Sequence, residues 1–268
     1  MAAILETQKL RKEFGGLVAV ADITMQVEPG VIHSIIGPNG AGKTTFFNLL
    51  SGNYRPTSGL VFYKGQDITH TPLHRRAHLG IGRSFQITNI FPNLTVLENV
   101  RLAVQAMGKD QYRFYRNASG YKDYILRAAE VLETVGLSEM TAVPASVLAH
   151  GDKRKLELAI LLAPEPELLL LDEPSAGMAS EQVPQLMELI AHIKQQNNRT
   201  IVLVEHNMSV VMGISDYITV MDHGELLAEG TPAEITANKT VQDVYLGRLY
   251  DDDTAQEAQQ MEGGQDGS

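Results

Sequence analysis

The chain has 268 residues, 44% of them hydrophobic, and a formal net charge of -10 at pH 7. This length and composition suit one large domain or two small ones, and we expect a single domain that carries a subdomain. The absence of cysteine excludes disulfides, thiolate nucleophiles and cysteine-based metal sites, and favours a reducing compartment. Six acidic and no basic residues occupy the last eighteen positions, and the remainder is only mildly acidic. Neither part offers the basic surface typical of a nucleic-acid binder.

Two segments bear on export and on membrane insertion. The N-terminal residues MAAILETQKLRKEF mix charged with apolar side chains, and so lack the apolar core of a signal peptide. The most apolar region, residues 156–171, is interrupted by two prolines and three glutamates, and falls short of the ~20 apolar residues that a membrane span requires. We therefore expect a protein that is not exported and that associates with a membrane only through a partner.

Residues 4–10 and 20–27 are predicted to be strands, because each short run mixes β-branched and apolar residues and Pro29-Gly30 closes the second run. The link FGGL between them contains Phe14. An aromatic residue at this place is an ordinary candidate for the core, but one that lies upstream of a phosphate-binding loop could instead stack on a nucleotide base.

The segment GPNGAGKTT, residues 37–45, matches the pattern G-x-x-x-x-G-K-[ST] and lies between a predicted strand and a predicted helix. Glycines at 37, 40 and 42 allow backbone N–H groups to approach a triphosphate closely. The helix that begins near Lys43 directs its N–H groups and its dipole at the phosphates, Lys43 adds a full charge, and the Thr44 hydroxyl can bind Mg²⁺. A glycine-rich turn is the alternative, but the flanking elements favour a phosphate-binding loop.

The next segment, YRPTSGLVFYKGQDIT, predicts a hairpin at a sheet edge, and TPLHRRAHLG predicts a short helix opened by Pro72. His70, His74 and His78 are spaced by four residues, which could indicate a metal-binding face. Because Pro72 makes His70 a poor member of that helix, we expect solvated histidines instead. The run IGRSFQ then predicts a strand that ends at Gln86.

Residues 95–163 show almost no strand pattern. The segments 95–107, 121–136 and 152–163 have helical periodicity and are separated by polar or proline-containing links. We therefore predict a helical block inserted into an α/β chain.

Strands and helices alternate again after this block. Apolar runs predict strands at 168–174, 200–206 and 216–222, with helices at 180–196 and from residue 208, and such continuous runs suit parallel strands covered on both faces. A terminal hairpin in HGELLAEG and two short helices before residue 250 follow. From Asp251 onward the composition is polar, acidic and glycine-containing, so we expect disorder.

Polar side chains close two of these apolar strands. Asp172 ends LLLLDEP at a place suited to holding Mg²⁺ through its water shell, and Glu173 could act as a general base that polarises an attacking water. His206 follows TIVLVE and could hydrogen-bond a phosphate oxygen or that water. Taken singly, Asp172 and Glu173 could cap a helix, and His206 could be a helix cap or an ordinary packing residue. Together with the phosphate loop they favour a magnesium–nucleotide site.

The order and spacing of these motifs resemble an ATP-binding cassette (ABC) transporter ATPase over residues 4–250. GPNGAGKTT is similar to the Walker A motif, Gln86 to the Q-loop glutamine, LAHGDKRKLELAILL to the signature segment, LLLLDEP to the Walker B motif with its glutamate, SAGM to the D-loop and His206 to the switch histidine. The resemblance implies an α/β P-loop NTPase fold, with a RecA-like core on a mainly parallel sheet, an N-terminal antiparallel β subdomain and an inserted α-helical subdomain.

The resemblance also implies domain bounds and a site. A single ABC ATPase domain would span 1–250, with its core at about 1–87 and 164–250, its helical subdomain at about 88–163, and an acidic tail at 251–268. Glu173, His206 and Gln86 would be catalytic, and Thr44, Gln86 and Asp172 would bind Mg²⁺. The residues that would contact ATP are Phe14, Gly37, Asn39, Gly40, Ala41, Gly42, Lys43, Thr44 and Thr45, with Ala149, His150 and Gly151 of an opposing subunit.

Two positions depart from the family pattern. LAHGD, residues 148–152, replaces the usual LSGGQ, so Ala149 lacks the serine hydroxyl that contacts the γ-phosphate. Losing one donor to a charged group costs on the order of 1.5 to 3 kcal/mol, and less if His150 or water substitutes. Met178 stands where many members of the family carry the D-loop aspartate.

FGGLVAV, the insertion near residues 101–125 and LDEPSAGM resemble the ATPases of branched-chain amino acid importers, with urea and short-chain amide importers close behind. The resemblance implies an ATP-hydrolysing subunit that pairs with a second, identical or different ABC ATPase and docks on two permeases at the cytoplasmic face of a membrane. An extracytoplasmic binding protein would act indirectly. The alternatives are a lipid exporter, a nucleotide-gated subunit with little catalysis, and a non-transport ATPase of a soluble complex. Such non-transport ATPases usually carry two cassettes or long coiled coils, which this sequence does not show.

Overall fold

The computed structural model describes residues 2–84, 90–106 and 119–244. The predicted Q-loop residue Gln86 and the acidic segment from Asp251 lie outside the described residues. Within them the strands are β1 (Leu5–Phe14), β2 (Leu17–Val27), β3 (Ile32–Ile36), β4 (Ser58–Tyr63), β5 (Gln66–Asp67), β6 (Ile81–Arg83), β7 (Leu168–Asp172), β8 (Thr200–Val204), β9 (Tyr217–Asp222) and β10 (Glu225–Gly230).

The helices of the described ranges are α1 (Lys43–Ser51), α2 (Leu73–His78), α3 (Val96–Ala106), α4 (Ser119–Thr134), α5 (His150–Leu162), α6 (Val183–Asn197), α7 (Met208–Ile214) and α8 (Pro232–Ala237). Two short 3₁₀ helices, Ser138–Met140 and Ala145–Val147, lie between α4 and α5. No helix in these ranges is both long enough and apolar enough to cross a membrane.

The larger sheet has six strands in the order β10-β9-β3-β8-β7-β6. Pairing is parallel from β9 to β6, and β10 joins β9 as an antiparallel hairpin partner. Every residue of β3, β7 and β8 is buried. This is the expected consequence of apolar strands that are covered on both faces, and it confirms the prediction of parallel strands in these segments.

The smaller sheet is antiparallel and has the order β2-β1-β4-β5. Helix α1 lies between the two sheets, because its apolar residues Phe46, Phe47, Leu49 and Leu50 share one core with residues of both. The helix that follows the phosphate loop is therefore held from two sides.

The helical block packs on the opposite face of the larger sheet. Residues of α3, α4 and α5 share one buried cluster with α6 and with Leu169 and Leu171 of β7. Since side chains alternate along a strand, Leu168 and Leu170 of the same strand point into the core that contains α1. A single strand thus contacts both halves of the structure.

Several predicted boundaries were wrong. The first strand reaches Phe14 rather than residue 10, because irregularities in its pairing with β2 let it bend and continue. Helix α6 begins at Val183 rather than Ser180, with proline in its first turn. Strand β6 ends at Arg83 rather than Gln86. Helix α2 begins at Leu73, so His70 lies outside it as expected.

Candidate nucleotide-binding site

The site lies where three parallel strands end at one edge of the sheet. The phosphate loop follows β3, Glu173 follows β7, and His206 lies two residues beyond β8. Because β3, β8 and β7 are adjacent and parallel, these three segments converge.

The phosphate loop is packed tightly at two of its three glycine positions, Gly37 and Gly42. A Cβ atom on Gly37 would lie 2.2 Å from the carbonyl oxygen of Met221, and one on Gly42 would lie 2.2 Å from the carbonyl oxygen of Ala19. The φ angle of Gly42 is 91°, a left-handed value that favours glycine. Glycine at these positions lets the loop approach the neighbouring backbone and leaves α1 free to begin at Lys43.

Lys43 is nearly fully buried, with 5% of its surface exposed. Its Nζ donates hydrogen bonds to the carbonyl oxygens of Gly37, at 2.6 Å, and Pro38, at 2.9 Å. A buried ammonium group needs such partners. The charge is therefore held against the loop, beside the backbone N–H groups that form an anion-binding concavity in loops of this kind.

A cavity of about 450 Å³ brings most of the predicted site residues together. The predicted residues that line it are Asn39, Gly40, Ala41, Gly42, Lys43, Thr44, Thr45, Glu173 and His206. Leu17, Val18 and Ala19 of β2 and the turn residues His223 and Gly224 complete the lining. The turn is attached to the loop, because the Gly224 N–H donates to the Ala41 carbonyl at 3.1 Å.

Asp172 ends β7 with 3% of its surface exposed. Burial, reinforced by the neighbouring Glu173 carboxylate, raises the pKa of Asp172 to about 6. Among the described residues neither of its carboxylate oxygens has a hydrogen-bond partner. A buried carboxylate with two unpaired oxygens at the end of this strand fits a hard cation such as Mg²⁺, which prefers oxygen ligands.

Glu173 and His206 form a direct pair at the cavity. His206 Nε2 lies 2.5 Å from Glu173 Oε1, and both side chains retain solvent access. Glu173 has a φ of 47°, a left-handed value that is uncommon outside glycine. Such backbone strain clusters at functional sites. The arrangement can supply a carboxylate base together with an imidazole that orients it.

Four other predicted contacts, Phe14 and the signature residues Ala149, His150 and Gly151, lie outside the lining of this cavity. The Phe14 ring is 45% exposed and packs edge-on against Tyr54, with ring centroids 5.7 Å apart. Ala149 is the N-cap of α5 and His150 is its first residue; both are exposed. Neither they nor Gly151 occur among the described residues that line the cavity. The signature segment therefore faces outward at a separate place on the surface.

Sequence reasoning missed two groups that organise the site. The Ser84 hydroxyl accepts a hydrogen bond from the Asp172 N–H at 2.9 Å. The buried Glu205 carboxylate accepts from the N–H groups of Ser175, at 3.0 Å, and His206, at 3.2 Å. The sequence feature that could have identified Glu205 is its position at the end of an apolar strand. A charged residue that becomes buried there needs hydrogen-bond partners.

Fold and site together define a P-loop nucleotide-binding ATPase. The family described as ABC transporter matches residues 20–176, and one described as branched-chain amino acid ATP-binding cassette transporter matches residues 225–250. The high-affinity branched-chain amino acid transport ATP-binding protein LivG of Escherichia coli (strain K12) is 41% identical over 251 residues, which cover 91% of this chain and 98% of that protein. The chain belongs to the ABC transporter ATP-binding proteins, as the resemblance implied, and it is an ATPase of that family.

Solved structures agree with this assignment. The ADP conformation of MJ1267, an ATP-binding cassette of an ABC transporter, superposes with a TM-score of 0.79 at 26% identity, covering 92% of this chain and 100% of that one. The dimeric post-hydrolysis state of the ATP-binding cassette MJ0796 bound to ADP and Pi superposes with a TM-score of 0.71 at 25% identity, covering 85% and 98%. The predicted fold class, including the antiparallel β subdomain and the helical subdomain, is confirmed.

Proposed function

We propose that this ATPase drives an importer of branched-chain or other hydrophobic amino acids, and that it is peripheral at the cytoplasmic face of a membrane through two permease subunits. The similarity to LivG over nearly its whole length supports the cargo class. An extracytoplasmic binding protein completes the importer. The observation that carries the catalytic part is the Glu173–His206 pair facing the phosphate loop across one cavity.

The chain's own residues divide the work at this site. Amides of the loop, the N-terminal end of α1 and Lys43 bind the ATP phosphates. Glu173 receives a proton from the attacking water while His206 orients the carboxylate. Thr44, Asp172 and Gln86 would hold Mg²⁺, which would supply positive charge beside the ATP phosphates. The turn between β1 and β2, flanked by Phe14 and Leu17, contacts the nucleotide base of ATP.

The second half of the site comes from an identical or different ATPase subunit. Ala149, His150 and Gly151 lie at the exposed start of α5 and do not contribute to the chain's own cavity among the described residues. In the proposed arrangement they contact ATP bound to the opposing subunit. ATP binding then favours a closed dimer and hydrolysis releases it, because only the triphosphate bridges both surfaces.

An apolar groove of about 420 Å³ is the proposed docking place for a helical segment of a permease. It lies between α2 and β6 on one side and α3 and α5 on the other, so it separates the proposed core, about 1–87 and 164–250, from the proposed helical subdomain, about 88–163. Arg154 and Glu157 pair at 2.7 Å beside it, and each keeps one buried polar atom without a partner in the described structure. A helix that offers a polar group at this point satisfies both.

The test uses Glu173→Gln, which keeps the shape of the base and removes its charge. Co-expressed with the permeases, this variant should form an ATP-dependent ATPase dimer and hydrolyse ATP at least about a hundredfold more slowly, as expected for loss of a general base. Glu188→Gln, on an exposed position of α6, is the matched control. If ATP gives no dimer even with the permeases present, the two-subunit site is wrong.

The cargo is tested separately by purifying the complex from membranes and identifying its permeases. Reconstituted with its binding protein, the complex should accumulate leucine in an ATP-dependent manner. Uptake of urea, or purification with a lipid exporter, contradicts the proposed cargo but leaves the ATPase assignment intact.

A further inference from the structure

Arg83, the last residue of β6, holds the helix that follows the phosphate loop. Its guanidinium donates to the Ser51 hydroxyl at 2.5 Å and to the Asn48 side-chain oxygen at 2.7 Å. The same group lies over the Phe47 ring, 5.1 Å from its centroid. Ser51, Asn48 and Phe47 all belong to α1. One arginine on the larger sheet thus contacts three side chains of that helix.

Asn48 extends this contact to the magnesium ligands. It is buried, and its side-chain N–H group donates to the carbonyl oxygen of Thr44 at 2.8 Å. Its side-chain oxygen also accepts from Asn53 at 3.0 Å, which fixes the amide orientation. A continuous chain of hydrogen bonds therefore runs from Arg83 through Asn48 to the backbone of Thr44, whose hydroxyl is a proposed Mg²⁺ ligand.

The next residue makes the corresponding contact on the other side of the site. The Ser84 N–H donates to the Leu170 carbonyl at 2.9 Å, and the Ser84 hydroxyl accepts from the Asp172 N–H at 2.9 Å. Two consecutive residues therefore contact both elements that carry proposed magnesium ligands. Arg83 contacts α1, which contains Thr44, and Ser84 contacts β7, which ends at Asp172.

We propose that Arg83 is a positioning residue for Mg²⁺, acting through Asn48 on Thr44, and that with Ser84 it links the apolar groove to the metal ligands. Both residues line that groove. The inference rests on the proposed function, because it assumes that Thr44 and Asp172 hold the magnesium of Mg-ATP. Mg²⁺ requires near-ideal octahedral geometry, so residues that orient its ligands affect its affinity strongly.

Charge alone predicts the opposite effect. Arg83 carries a positive charge near Asp172. A positive group near a cation site repels the cation, so removing it should tighten magnesium binding if direct electrostatic repulsion dominated. A positioning role for Arg83 predicts the reverse, that magnesium binding weakens when Arg83 is replaced. The sign of the change therefore distinguishes the two roles.

The test is Arg83→Met in the full chain, since methionine keeps an unbranched stem over Phe47 and removes every donor. Binding of a fluorescent ATP analogue is measured in EDTA and across a magnesium titration. We expect the half-saturating Mg²⁺ concentration to rise about tenfold, with metal-free nucleotide affinity within about twofold of wild type. Arg75→Met, on the exposed face of α2, is the control and should change neither value.

Two further variants test the route, and thermal unfolding is used to check that each is folded. Asn48→Asp keeps the acceptor for Arg83 but loses the donor to Thr44, so it should also weaken magnesium binding. Ser51→Ala removes a contact that does not lead to Thr44, and should leave the titration within about twofold of wild type. An effect of Ser51→Ala equal to that of Arg83→Met contradicts the route through Asn48.

Three results would overturn the inference. These are an unchanged magnesium titration in Arg83→Met, a tighter one, or an equal loss of metal-free nucleotide binding, which would indicate a general structural role. Failure of the wild-type protein to bind Mg-ATP at all would instead refute the proposed function.

Discussion

Replacing Gly42 with alanine should destabilise the protein more than replacing Gly40, although both belong to the same loop. Their φ angles, 91° and 82°, are both left-handed, so either substitution costs about 1–2 kcal/mol in backbone strain. The space around them differs. A Cβ on Gly42 would lie 2.2 Å from the carbonyl oxygen of Ala19 and 3.4 Å from the Cα of Gly224, whereas one on Gly40 meets nothing within 4 Å. Forcing backbone apart adds about 1–3 kcal/mol, so we expect losses of about 2–5 kcal/mol for Gly42→Ala and about 1–2 for Gly40→Ala.

Urea unfolding without nucleotide, followed by circular dichroism, measures both free energies of unfolding. The nucleotide affinity of the folded Gly40→Ala variant should also fall, because its methyl group occupies space that faces the cavity. Equal stability losses for the two variants would refute the argument from close packing. Unchanged nucleotide binding in Gly40→Ala would show that the phosphates do not approach this part of the loop.

Two other predictions concern pH and the signature segment. Burial lowers the pKa of His33 to about 4, so the unfolded chain takes up a proton more readily than the folded one. Stability should therefore fall as pH drops from about 6.5 towards 4, by about 2 kcal/mol at pH 5, and urea unfolding at pH 7.5 and 5 should show a smaller loss in His33→Gln. Ala149→Ser should raise the ATPase rate of the assembled complex about tenfold if it restores a donor to the γ-phosphate. An unchanged rate means that His150 or water already supplies that contact.

The centre of the site could be predicted from sequence because its parts are attached to regular structure. A strand that ends in a phosphate loop, and two others that end at Asp172 and just before His206, must meet at one edge once the sheet is parallel. Apolar periodicity was enough to locate those strands. Such signals are local in the sequence, and the fold class follows from their order.

Other parts of the site depend on contacts that no local pattern encodes. Arg83 and Asn48 are separated by 35 positions, and the cavity turn at His223–Gly224 reaches the loop from the far end of the chain. Glu205 is buried just beyond the end of β8 and accepts a hydrogen bond from the N–H of Ser175, which is 30 positions away in the sequence. Irregular pairing likewise decided where β1 ends, which local propensity cannot specify.

Strand β7 gives the groove a short physical route to the nucleotide. Leu171 lines the groove and packs with the helical block, while Leu170 on the opposite face packs with α1. Asp172 is the next residue, and its N–H is held by Ser84, which lines the same groove. Because close-packed interiors transmit small displacements rather than absorb them, we expect a helix that enters or leaves the groove to displace Ser84, which is hydrogen-bonded to the backbone of Asp172, a proposed metal ligand. The reverse also holds, since a coupling free energy between two sites is reciprocal. Magnesium–nucleotide binding should therefore change the affinity of the groove for its helix by the same factor that the helix changes the affinity for the nucleotide.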